Sequence, residues 1–186
     1  MLKKAVVVGL LIFLLSCAPK STENINIQQQ TITYDMTMKL TSPAFAHNGK
    51  IPSQYTCDGQ NINPALTISD VPASAKSLVL IMDDPDAIKP ANKVWDHWLV
   101  FNISPTLKTI PEGEEPSGVH GKGTSGNLKY MGPCPPDREH RYFFKLYALD
   151  AMLNLKEGVT KPEVEAAIQE HIVAQTELMG RYERVH

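Results

Sequence analysis

From Tyr34 onward the hydrophobic and polar positions follow the periods of strands more than of helices. In YDMTMKLTS, Met36, Met38 and Leu40 alternate with Thr37, Lys39 and Thr41, the period-2 mark of a half-buried strand. Ser77 to Met82 (SLVLIM) is apolar without a break, as expected of a strand covered on both faces. Trp95 to Ile103 (WDHWLVFNI) and Arg141 to Leu149 (RYFFKLYAL) are two further runs, the last rich in aromatics. Ala65 to Ile68 predicts a short strand. Asn48-Gly49, Ile51-Pro52, Asp58-Gly59 and Asn63-Pro64 punctuate the stretch before it as turns. Between Gly113 and Gly132 the glycines are dispersed and match no phosphate-loop spacing, so a surface loop is expected.

One helix is predicted near the C-terminus. Thr160-Lys161-Pro162-Glu163 has the spacing of a capping box with proline in the first turn. Val164, Ile168, Ile172, Leu178 and Met179 then recur at helical spacing, as a core-facing stripe. No repeat and no boundary interrupts residues 34–186, which read as one mostly β domain.

The N-terminal segment obeys different rules. Lys3 and Lys4 precede the apolar run Ala5 to Leu15, which is too short to span a bilayer. It ends in Leu14-Leu15-Ser16-Cys17, which resembles a bacterial lipoprotein signal. The expectation is a signal peptide over 1–16, a lipidated Cys17, and a polar tether over 17–33. An ordinary secretory signal with an incidental Cys17 is the alternative. The expected location is the bacterial cell envelope, lipid-anchored, facing the periplasm or the outer membrane. That compartment oxidises thiols, which predicts a Cys57–Cys134 disulfide. Two free thiols remain the alternative, because sequence spacing says nothing of the distance between the Cα atoms.

A formal net charge of -2 offers no electrostatic footprint for nucleic acid. The polar groups gather instead at the ends of the apolar runs. Asp83, Asp84 and Asp86 follow SLVLIM, with Pro85 fixing the turn. A strand at Trp95 puts Trp95 and His97 on one face, with Asp96 and Trp98 on the other. His140 and Tyr142 share a face in the same way. If these segments converge, two carboxylates, two imidazoles and a phenol meet between aromatic walls, a setting for a small molecule. A carboxylate beside a histidine orients the ring and favours its charged form, which suits a phosphate or carboxylate guest. Asp and His also ligate zinc, but no HxH or HxxxH pair occurs, so neither metal nor cofactor is expected. No GxSxG elbow is present, and Cys134 lies among prolines, so no catalytic residue is assigned.

DPDA (Asp84 to Ala87), W-x-H (Trp95 to His97), GPCPP (Gly132 to Pro136) and HRY (His140 to Tyr142), in this order, resemble the phosphatidylethanolamine-binding protein family. The similarity is greatest to its bacterial and archaeal, Raf kinase inhibitor-like branch. It implies a β-sandwich-like fold: a large central antiparallel sheet, a smaller sheet, and peripheral helices including a C-terminal one. It also implies an anion pocket at one end of the large sheet. By matching motif, the pocket residues are Asp84, Asp86, Trp95, His97, Gly132, Pro135, Pro136, His140 and Tyr142. Asp96 departs from the animal pattern, in which a second histidine precedes the one at this position. Its face of the strand predicts a structural role.

The resulting expectation is a non-enzymatic, membrane-anchored protein that binds a small anion such as phosphate or a phosphorylated headgroup. An inhibitor-like interaction protein and an enzyme using the Asp/His set are the alternatives. The resemblance also leaves room for a homodimer and for a protein target.

Overall fold

The computed structural model describes residues 37–184. The segments expected to be signal peptide (1–16) and tether (17–33), with Cys17, lie outside the described residues, as does Met36. Nine strands form two sheets: β1 (Lys39–Thr41), β2 (Gly49–Lys50), β3 (Leu66–Ser69), β4 (Ser77–Asp84), β5 (Trp95–Ile103), β6 (Thr109–Ile110), β7 (Val119–His120), β8 (His140–Leu149) and β9 (Ile172–Tyr182). The larger sheet has the order β2-β9-β8-β4-β5-β7, and the smaller β1-β3-β6. Pairing is antiparallel throughout except for β2, which lies parallel to β9 at the edge. Two short helices complete the fold, α1 (Ile88–Ala91) and α2 (Lys161–Ile168).

The unbroken apolar run of β4 has a physical reason. Leu78, Leu80 and Met82 pack toward the small sheet, among Leu40, Leu66, Ile68 and Ile110. Val79 and Ile81 face the other way, into a second core with Leu99, Phe101, Val164 and Ile168. All eight residues of β4 are buried, and each fully buried Leu or Ile contributes about 1.5–3 kcal/mol.

Three expectations are corrected. The C-terminal helix stops at Ile168, and Ile172, Leu178 and Met179 belong to strand β9 instead. β9 pairs with β8 along nearly its whole length, from His140↔Tyr182 to Leu149↔Ile172. Its buried face is Ala174, Leu178, Gly180 and Tyr182, in which two small residues hide the strand period. A Cβ on Gly180 would stand 2.5 Å from the Ile51 side chain, so the close packing there demands glycine. The glycine-rich stretch is not wholly loop either, since Val119–His120 extends the large sheet beside β5. The third correction concerns β5. Its register against β4 runs Met82↔Trp98 and then Asp83↔Asp96, so His97 is the extra residue of a β-bulge. Strict alternation fails there: Trp98 faces the small-sheet core, whereas Asp96 faces Lys161 of α2.

Candidate functional site

Asp83 and Asp84 are the last residues of β4 rather than the turn beyond it. They point to opposite sides. Asp83 joins the α2 side, where Lys145 and Lys161 lie 2.8 and 2.7 Å from it. Asp84 continues the face of Leu80 and Met82. One of its oxygens caps the following turn, accepting from the backbone N–H of Asp86 (2.8 Å) and Ala87 (3.1 Å). The other lies 2.7 Å from Nδ1 of His140. His140 is fully buried, and its Nε2 lies 2.8 Å from Oδ1 of Asp137. Each ring nitrogen of His140 thus faces a carboxylate oxygen at hydrogen-bond distance.

The bulge in β5 turns His97 toward the same side. Its Nδ1 donates to the Met131 carbonyl (2.7 Å), and the Met131 N–H returns a bond to the His97 carbonyl (3.2 Å). Among the described residues, Nε2 has no hydrogen-bond partner. Burial pushes the His97 pKa down, against the pull of Asp84, Asp96 and Asp83. The ring packs edge-on against Tyr142, with centroids 5.3 Å apart.

These groups surround a cavity of about 230 Å³ at the end of the large sheet. Asp84, Ala87, Ala91, Trp95, His97, Met131, Cys134, Pro136 and His140 line it. Of the residues singled out by sequence, Asp84, Trp95, His97, Pro136 and His140 thus come together. Four do not reach the lining. Asp86 turns outward to Arg141, which donates from Nε (2.8 Å) and from a terminal nitrogen (2.9 Å) and holds the carboxyl down at about pKa 2. Tyr142 sits behind His97, fully buried, and burial first and the Asp84 charge second raise its pKa. Pro135 is buried, and Gly132 packs closely against the Tyr55–Thr56 backbone. A Cβ on Gly132 would come within 2.4 Å of the Tyr55 carbonyl oxygen. Ala87, Ala91, Met131 and Asp137 were not singled out by sequence. Ala87 and Ala91 lie on a 3-10 turn and the one-turn helix α1, and Met131 on a loop, all too short for a period to mark them. Asp137, an acid three residues before His140, was open to view.

The loop that carries Met131 to Asp137 is held from the Thr56 side. Cys57 and Cys134 form a disulfide with a Cα–Cα distance of 5.4 Å, as expected. The Cys57 N–H donates to the Pro133 carbonyl (3.1 Å), and the Gly132 N–H to Asn61 (2.8 Å). Among the described residues, no group of three or more His, Cys, Asp or Glu side chains is placed to hold a metal ion.

The sequence model described as Phosphatidylethanolamine-binding protein matches residues 41–183. The chain belongs to the phosphatidylethanolamine-binding protein family. A UPF0098 protein of Chlamydia pneumoniae is 50% identical over 149 residues, which cover 79% of this chain and 99% of that protein. A UPF0098 protein of the archaeon Methanothermobacter thermautotrophicus is 49% identical over 153 residues, with the same coverage. Among solved structures, the phosphatidylethanolamine-binding protein homolog CT736 of Chlamydia trachomatis superposes with a TM-score of 0.76 at 47% identity, covering 80% of this chain and 98% of that one. YbcL of E. coli, described as a member of the mammalian family, gives 0.73 at 29% identity, covering 80% and 99%. None of these names specifies a reaction.

The cavity lining carries no hydroxyl, and its one sulfhydryl residue, Cys134, is tied in the disulfide. Its polar groups are one carboxylate and two imidazoles, set among alanine, tryptophan, methionine and proline.

Proposed function

We propose that this protein is a non-enzymatic receptor for a small anion, phosphate or a phosphorylated headgroup, held in the bacterial envelope by a lipid on Cys17. The observation that carries the binding reading is His140. It is a fully buried imidazole oriented by Asp84, on the wall of a cavity of about 230 Å³. That volume suits a phosphate with a few carbons better than a drug-sized guest, whose sites start at about 300 Å³. The apolar walls give such carbons a dry surface.

The test is a calorimetric titration of the purified chain with inorganic phosphate, alongside His97→Ala. Phosphate is expected to bind the wild type and perturb the amide signals of Met131 to Asp137. The variant is expected to unfold cooperatively and to bind nothing detectable. Silence in the wild type, in heat and in spectrum, refutes the reading.

The anchor reading is supported by the order Lys3-Lys4, apolar run, Ser16-Cys17. The family match begins at residue 41, so this leader precedes the shared domain. The disulfide accords with an oxidising compartment. Intact-mass analysis of the protein expressed in a Gram-negative host is expected to find a new N-terminus at Cys17 bearing diacylglycerol. A mature chain with unmodified Cys17 rejects the anchor.

A further inference from the structure

His140 has two ring nitrogens, and each already faces a carboxylate. The two carboxylates are not alike. The Asp84 side chain is 4% exposed and is fixed by two backbone N–H groups besides His140. The Asp137 side chain is 42% exposed, and among the described residues its only other bond is to the neighbouring Arg138, at 2.6 Å. Asp84 therefore belongs to the framework, whereas Asp137 sits on the pocket loop, free to swing into solvent. Pro136, the residue before it, lines the cavity together with His140.

We propose that Asp137 is a resident competitor: its carboxylate occupies, on His140 Nε2, the place that an oxygen of the guest anion takes, and binding expels it. This rests on the anion-binding reading and adds how that site is regulated. A carboxylate oxygen 2.8 Å from a ring nitrogen makes the same charge-assisted hydrogen bond that a phosphate oxygen makes. Asp84 retains Nδ1, so Asp137 and the guest compete for Nε2. Expulsion leaves no buried charge stranded, because Asp137 keeps Arg138 as a partner at the surface. The empty site is closed on itself, and the guest's apparent affinity is lowered by the fraction of molecules in which Asp137 holds the ring. An uncharged guest has little means of displacing it, so the contact also selects for anions.

The experiment is phosphate titration at fixed ionic strength into the full chain, its Asp137→Ala and Asp137→Asn variants, and Glu139→Gln. Glu139 carries the same charge on the same loop but pairs with Arg181 and does not touch His140. Asp137→Ala is expected to bind phosphate about fivefold more tightly, the scale of one exposed ion pair. Asp137→Asn is expected to gain less, since its amide oxygen still accepts from the ring, and Glu139→Gln to match the wild type. Wild-type binding with no gain in Asp137→Ala overturns the competitor and leaves the anion site standing. An equal gain in Glu139→Gln overturns it too, since a general field would then be responsible. Absence of binding in every variant overturns the anion site itself, and the competitor with it.

Discussion

At the scale of single residues, His97 is where burial has the clearest consequence. Its Nδ1 is committed to the Met131 carbonyl, and burial holds the ring below its ordinary value of 6.5. As pH falls, the unfolded chain takes up this proton before the folded one does. Stability should therefore decline below about pH 6.5. The carboxyls of Asp86 and Asp137 are held down by Arg141 and His140 respectively. Their contribution is present above the ordinary carboxylate range and is lost only further down. The window just below 6.5 thus lies above the range of these two carboxyls. His97→Asn, whose amide nitrogen stands where Nδ1 donates to Met131, is expected to flatten the slope of denaturation midpoint against pH there. Equal slopes in the two proteins would contradict this account. The residues of the site were largely legible: Asp84, Trp95, His97 and His140 stand out as polar or aromatic groups at the ends of apolar runs, and Pro136 follows only from the family resemblance of GPCPP. Asp86 looked equivalent to Asp84. Only the fold shows that one turns in to His140 and the other out to Arg141.

At the scale of elements, the junction of β4, β5 and α2 is held by charge. Lys161 opens α2 and lies 2.7 Å from Asp83 and 2.9 Å from Asp96, and its side chain is 11% exposed. Burial opposes its charge, but the two carboxylates outweigh burial and raise its pKa. Lys161→Ala would leave both acids short of a partner near one another, with only Lys145 remaining for Asp83. A loss of about 3 kcal/mol in urea unfolding is expected, with Lys161→Arg restoring most of it. A loss under half that size would mean solvent already reaches the cluster. The three long apolar runs became β4, β5 and β8, and the capping box became α2, where Glu163 accepts from the Thr160 backbone at 2.7 Å. β9 was misread as helix because Ala174 and Gly180 carry little apolar signal. Pairing with β8 decides that segment, and β8 starts 32 residues earlier in the chain.

At the scale of the whole molecule, one covalent link joins the pocket loop to the turn-rich N-terminal part of the domain. Cys57 and Cys134 are 77 residues apart in sequence. Closing a loop of that length stabilises the folded state by about 4 kcal/mol in the chain-entropy picture. Reduction, or the double change Cys57→Ser/Cys134→Ser, is therefore expected to lower the urea midpoint by a corresponding amount. It should also broaden the amide signals of Met131 to Asp137; a loop as sharp as in the oxidised protein would show that Gly132 and its neighbours hold it unaided. Local chemistry alone determined the β-rich class, the main strands, the helix start and the residue types of the site, because period, capping and turn preference act over a few residues. Which residues meet was decided by tertiary structure. The bulge that aims His97, the outward turn of Asp86, the close approach at Gly132 and the seat of Asp137 on His140 each depend on register between strands or on a loop crossing from afar. Such distances have no signature in the order of residues along the chain.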